Sequence, residues 1–260
     1  MEKSQSKPSL FLLLVILGIT LGHFKPMDLN KKSHNPEERG NYFEGDIVLP
    51  DWNPRSNGIN MRNGVLDLNR RWPGGVVPYE INGIFLPNHM KIIEDAFKEF
   101  HTRTCVRFKP RTTEKDYISI ESENSGCWSK IGRVGGRQEV NLQVNLEVNL
   151  EKPDCLYKVG VPIHELMHAL GFCHEHSRPD RDLYVIVKNK TQINTPDYVK
   201  LGPGVSTDFG EKYDYTSVMH YTGDFLIALI DTPDVKNMGQ VDGFSAADVR
   251  KINAMYNCNA

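Results

Sequence analysis

The chain is predicted to be an α+β protein, a mixed twisted sheet with backing helices, one of them bearing paired histidines, and a C-terminal helix. Three observations predict this. From Arg71 onward, short strand-patterned segments alternate with segments of helical period. Residues 164 to 174, His-Glu-Leu-Met-His-Ala-Leu-Gly-Phe-Cys-His, put His164 and His168 on one helical face, with His174 beyond a glycine turn. Ser245, with Asp248 three residues on, forms a near capping box that opens a last helix.

In chain order, Lys3 and Lys7 precede the apolar run Leu10 to Leu21, the layout of a secretory signal peptide over residues 1–22. That run is too short to cross a bilayer of ~30 Å as a helix, so no stable membrane insertion is expected. Residues 23–62 are polar and rich in Asn, Pro and charge, with no sustained period, and read as an extended segment. Val76 to Ile81 predicts a strand whose Pro78 suits a sheet edge. Asn88 is placed to cap a helix with Ile92, Ile93, Ala96, Phe97 and Phe100 on its apolar face. Val106–Phe108 and Tyr117–Ile120 read as short strands. Three near copies of Val-Asn-Leu-Gln/Glu follow over 140–151, with an apolar residue at every second position from Val140 to Leu150. This predicts a strand about twice the usual length. Each copy has an even number of residues, so an added copy keeps the apolar face where it was. Pro162, two residues before His164, requires the helix to begin within its first turn there. In the last helix, Val249, Ile252 and Met255 share the buried face.

A formal net charge of -2 over 260 residues, without a basic run, gives no footprint for nucleic acid. Five cysteines suit an exported, extracellular protein. The number is odd, and one free thiol with two bridges allows fifteen arrangements. Asn189-Lys190-Thr191 is a glycosylation sequon.

The chemistry sits in the undecapeptide. Three neutral imidazoles with an open fourth position make a catalytic type of zinc site, whereas structural zinc is usually closed by four protein ligands. One Zn2+ per chain is expected, with His164, His168 and His174 as ligands. Glu165, next to a ligand and aimed along the helix, is the candidate general base acting on water.

His164-Glu165-x-x-His168-x-x-Gly171-Phe172-x-His174-Glu175, followed by Arg178 and Asp180-Arg181-Asp182, resembles the signature of the astacin branch of the metzincin zinc peptidases. Ser217-Val218-Met219-His220-Tyr221 resembles that family's Met-turn, and Phe43-Glu44-Gly45-Asp46-Ile47 its propeptide motif. The resemblance implies a metzincin-like two-subdomain catalytic domain over 63–260, with the active-site helix at its cleft, and a propeptide over 23–62. It also implies that Met219 underlies the metal and that Tyr221 is a displaceable ligand and catalytic hydrogen-bond donor. Asp46 would be the zinc ligand of a zymogen, and a trypsin-like protease would activate it by cutting Arg62–Asn63. The freed amino terminus would then pair with Glu175. Disulfides Cys105–Cys258 and Cys127–Cys155 are implied, leaving Cys173 over.

Together these readings describe a secreted zinc metalloendopeptidase, expected to be monomeric, that hydrolyses protein or peptide substrates. The Cys127 to Gly136 region is the expected edge strand for holding a peptide by β-augmentation. The alternative from another class is a catalytically inactive zinc-holding binding protein, its cleft closed by the Val-Asn-Leu repeat and a short 219–239 segment.

Overall fold

The structure, a computed structural model, describes residues 35–49, 64–146, 154–188, 198, 200–201 and 206–258. The expected signal peptide, the Arg62–Asn63 cleavage point and the Asn189 sequon lie outside them. In chain order the elements are β1 (Gly64–Val65), β2 (Val76–Ile81), α1 (Pro87–Arg103), β3 (Arg107–Pro110), β4 (Tyr117–Glu121), β5 (Cys127–Ser129), β6 (Arg137–Leu142), α2 (Gly160–Leu170), β7 (Val185–Val187), β8 (Ser206–Thr207), β9 (Leu226–Ala228) and α3 (Ala246–Met255). The main sheet has the order β3-β2-β4-β6-β5. Its pairs are parallel except β5 with β6, which makes it the mixed sheet the sequence predicts.

Helix α1 covers the sheet with Ile93, Ala96, Phe97 and Phe100, and Phe97 stacks on Phe108 of β3 at 4.8 Å. Fully burying one such side chain contributes about 1.5–3 kcal/mol. Every residue of α2 is buried, as expected of a helix that is apolar nearly all round. The helix starts at Gly160, so Pro162 falls in the first turn, where a missing N–H costs nothing. Two small two-stranded sheets complete the fold, β1 with β8 and β7 with β9. A second apolar cluster, with Tyr198, Tyr213, Tyr215 and Tyr221, packs around the β7–β9 pair. Among the described residues no helix is long and apolar enough to cross a membrane.

Three expectations are corrected. The Pro78 strand is β2, which lies inside the sheet and not at its edge. Pro78 is tolerated because its register there is with Lys109 of β3, while pairing with β4 begins at Tyr79. The N-cap of α1 is Leu86, and Asn88 lies inside the helix. Pro87 occupies the first helical position with its preset φ, and His89 Nδ1 accepts from the Leu86 N–H at 3.4 Å. The long strand over the repeat stops at Leu142, opposite the start of β5 at Cys127. Gln143 then turns to other partners, its C=O accepting from Cys155 N at 2.9 Å and its Oε1 from Gly126 N at 2.7 Å. Among the described residues no strand pairs with 144–146, the described part of the second copy, and residues 147–153 lie outside the described range.

Cys105 is bonded to Cys258 and Cys127 to Cys155, as the resemblance implies, and Cys173 is a buried thiol outside both bridges. Cys105–Cys258 closes a loop of 153 residues and ties the segment after α3 to the start of β3. Replacing both cysteines by serine is expected to destabilise the chain by roughly 4–5 kcal/mol on a chain-entropy basis. Chemical denaturation checks this, and the 28-residue loop of Cys127–Cys155 should give a smaller loss.

Candidate metal centre

The metal-bearing helix ends where it must for His174 to come round. Gly171 takes φ 115, and its N–H and that of Phe172 donate back to the His168 and Met167 carbonyls. A Cβ on Gly171 would lie 2.5 Å from Val65 Cγ2, so glycine is required by packing as well as by conformation. The chain beyond the turn delivers His174 opposite the helix. His164 Nε2 lies 3.1 Å from both His168 Nε2 and His174 Nε2. Ligands at ~2.0–2.1 Å around a tetrahedral ion stand about 3.3–3.4 Å apart, so this spacing fits zinc.

What aims the three rings is the far nitrogen of each. His164 Nδ1 is bonded to Val218 O and His168 Nδ1 to Phe172 O, both at 2.7 Å, and His174 Nδ1 to Glu44 Oε2 at 2.7 Å. An acceptor on each Nδ1–H leaves the Nε2 lone pair free for a metal. Asp46 completes the set, its Oδ2 lying 2.9 Å from His164 Nε2 and 3.2 Å from His174 Nε2. The ligand atoms of these four residues all lie within 4.8 Å of one another and are buried. They form a site for one zinc ion. Burial disfavours positive charge at both His174 and His168. At His174 the carboxylates of Asp46 and Glu44 outweigh it, so positive charge, whether of a proton or of a bound ion in its place, is best matched there, whereas burial prevails at His168.

Glu165 is buried, and neither carboxylate oxygen has a hydrogen-bond partner among the described residues. Burial first, then Asp46 and Glu37, push its carboxyl well above the usual range. Tyr221 OH donates to Glu44 O, and its ring lies 4.7 Å from His174 and 4.0 Å from His176. Met219 is fully buried in a turn whose backbone is pinned by Asp248. Asp248 accepts from Ser217 Oγ at 2.6 Å and from Val218 N at 3.0 Å, while also closing the capping box with Ser245. The carbonyl of that same Val218 holds His164, so a capping residue of α3 supports a metal ligand. Its place in the capping box is readable from sequence, but its hold on the turn is not.

In the uncut chain Glu175 is held by groups of the folded domain, and its expected pairing with a freed amino terminus concerns Asn63, outside the described residues. Glu175 Oε2 accepts from Lys251 Nζ at 2.7 Å, and its Oε1 from Arg178 at 3.0 Å and Asp214 N at 3.0 Å. Lys251 is itself 1% exposed, an ammonium already inside the protein, and the sequence reading did not single it out. Cys173 is fully buried, and burial raises its thiol well above the usual value, which leaves an inert side chain.

Residues 35–48 lie against this centre. Ile47 bridges Ser129 of β5 in parallel, with Val48 N donating to Ser129 O and Ser129 N to Asp46 O, both at 2.9 Å. Strand β5 is therefore the available sheet edge, within the region expected. Gly45 takes φ 79, and a Cβ there would stand 2.8 Å from Glu37 O and 3.0 Å from Tyr221 OH. Glu38 accepts from Thr222 N at 2.7 Å and Thr222 Oγ1 at 2.9 Å. Glu37 is buried, and burial, with Glu38 and Asp46 adding to it, pushes its carboxyl from 4.5 up to about 8.

A model of the astacin peptidase family matches residues 64–257. The chain is 38% identical over 231 residues to zinc metalloproteinase nas-4 of Caenorhabditis elegans, covering 84% of this chain and 70% of that protein. It is 41% identical over 233 residues to an astacin-like metalloendopeptidase of Gallus gallus, covering 83% of this chain and 51% of that one. Among solved structures it is similar to high choriolytic enzyme 1, a hatching-enzyme zinc protease of the medaka Oryzias latipes. That match has a TM-score of 0.60 and 31% identity, over 78% of this chain and 97% of that one. A three-histidine centre of this geometry on such a fold defines a zinc metalloendopeptidase. The chain belongs to the astacin family.

Asp248→Ala leaves the buried donors of Ser217 and Val218, and the half-buried N–H of Ser245, without this acceptor. We expect a stability loss of roughly 2–4 kcal/mol and about tenfold weaker zinc binding, read by calorimetry and chelator competition. For Glu37, a folded pKa above the unfolded one means that docking is favoured while the acid is protonated. That contribution is full below 4.5 and is lost as pH rises through about 8. The melting temperature of Glu37→Gln minus that of the parent should therefore rise across this window and be level outside it.

Proposed function

We propose that the chain is a secreted, latent endopeptidase whose propeptide, residues 23–62, is removed after a signal peptide, residues 1–22, has been cleaved. The observation that carries this reading is Asp46. A buried carboxylate among three metal-binding imidazoles, on a segment paired with the sheet edge, occupies the place a water and a substrate need. Cleavage at Arg62–Asn63 by a trypsin-like protease would free the catalytic domain, 63–260. The new amino terminus would then join Glu175 beside Lys251.

Zinc bound by His164, His168 and His174 supplies a Lewis acid and lowers the pKa of a bound water towards ~7. With Asp46 withdrawn, Glu165 takes the proton of the attacking water and delivers it to the leaving amine nitrogen. Burial and the charges of Asp46 and Glu37 favour the neutral acid while residues 35–48 cover the site. Their departure opens Glu165 to water and removes both negative neighbours, so that it ionises and acts as a base next to His164. Tyr221, released from the Glu44 carbonyl, turns its hydroxyl to the developing oxyanion, where a donor is worth most. The backbone of β5, released from Asp46 and Val48, presents Ser129 N–H and C=O to an extended peptide of a protein substrate.

The test uses the full chain. Asp46→Ala should hydrolyse casein without trypsin, and this activity should vanish with a chelator. Glu165→Gln in the trypsin-treated protein should lose at least ~10²-fold in kcat while retaining zinc. A latent Asp46→Ala chain, or an active Glu165→Gln one, would overturn the reading. Amino-terminal sequencing of the activated protein is expected to begin at Asn63.

A further inference from the structure

The three zinc-facing histidines are not held alike. Backbone carbonyls of the catalytic domain, Val218 O and Phe172 O, accept from His164 and His168. His174 has a side-chain carboxylate instead, and that carboxylate belongs to Glu44, two residues before Asp46. His174 is also the one ligand beyond the end of α2, where no helix fixes its direction.

Glu44 is built for this contact in three further ways. It is completely buried, an uncommon place for a carboxylate unless it is fully partnered. Its second oxygen accepts from Ser177 Oγ at 2.7 Å, so both oxygens are engaged. Its backbone stands at φ 47, a left-handed conformation that an L side chain adopts only against resistance and that clusters at functional sites. The adjacent Gly45 and the Tyr221 hydroxyl on the Glu44 carbonyl keep the turn in that shape.

We infer that Glu44 is a positioning residue for the metal. It orients His174 and raises the basicity of its Nε2, so that the propeptide grips the zinc from two directions, Asp46 from within the site and Glu44 from behind its third ligand. A carboxylate on the far nitrogen of a zinc-bound histidine fixes its tautomer and direction, and removing such a partner typically lowers metal affinity 10–100-fold. The latent chain therefore holds zinc more tightly than Asp46 alone provides, and the activated domain loses both grips at once. This inference rests on the reading of residues 23–62 as a removable propeptide.

The experiment measures zinc affinity of the full chain by competition with a chromophoric chelator, and the d–d spectrum of the cobalt(II) form, for the parent, Glu44→Gln, Ser177→Ala and Asp46→Ala. Glu44→Gln should bind zinc about 10–100-fold more weakly and shift the cobalt spectrum while remaining latent towards casein. Ser177→Ala, which removes only one bond to Glu44, should show a smaller change in the same direction. After trypsin removes the propeptide, the parent and Glu44→Gln should have the same affinity. Unchanged affinity and spectrum in Glu44→Gln overturn the inference. So does a loss of affinity accompanied by full activity before trypsin, which would mean that the substitution merely undocks the propeptide. Failure of trypsin to release activity from the parent would instead count against the zymogen reading, independently of the zinc measurements.

Discussion

Three lone pairs must meet at one point, and most of what surrounds the centre follows from that demand. An imidazole can rotate about its side chain and can carry its proton on either nitrogen. Convergence of the Nε2 atoms to 3.1 Å therefore requires an acceptor behind every ring. The acceptors come from three separated places: the turn at Val218, the exit of the metal-bearing helix at Phe172, and the amino-terminal segment at Glu44. Each must itself be immobile. Val218 is held by Asp248, and Phe172 by the left-handed turn at Gly171 that also meets Val65.

The last helix has an outsized part in this. Asp248 and Lys251 lie three residues apart on one face of α3, both essentially excluded from water. One secures the turn whose Val218 carbonyl holds His164, and the other neutralises Glu175, the residue directly after His174. Charged groups this deep are tolerated because each is matched. Removing a single partner from such a pair strands a charge and costs far more than the pair contributes in net stability. The Cys105–Cys258 bridge ties the chain just beyond this helix to the segment opening β3.

Much of the centre was legible in the sequence because its signals are local. The spacing of His164 and His168 is one helical turn, Gly171 announces the turn that follows, and Ser245 with Asp248 announces a helix start. Where local signals competed, the longer-range structure decided. Pro78 reads as an edge residue, yet the staggered start of pairing with β4 lets it sit in an interior strand. The Val-Asn-Leu alternation reads as one long strand, but a strand lasts only as far as its neighbours, and β6 ends at Leu142. Asn88 is a good cap by type, and the preset φ of Pro87 places the helix start one residue ahead of it. The pairing of Glu175 with Lys251 spans 76 residues and has no periodicity or spacing to reveal it.

Asp46 and His164 touch across 118 residues of chain, with the acid on the amino-terminal side. A ribosome adding ~5–20 residues per second emits the acid roughly 6–24 s before the first of the histidines it will face. By the time the third ligand has emerged, the carboxylates that cover the site have long been waiting. The order of translation thus adds something that the folded geometry alone does not express: no nascent chain carries the three histidines without the acid that faces them.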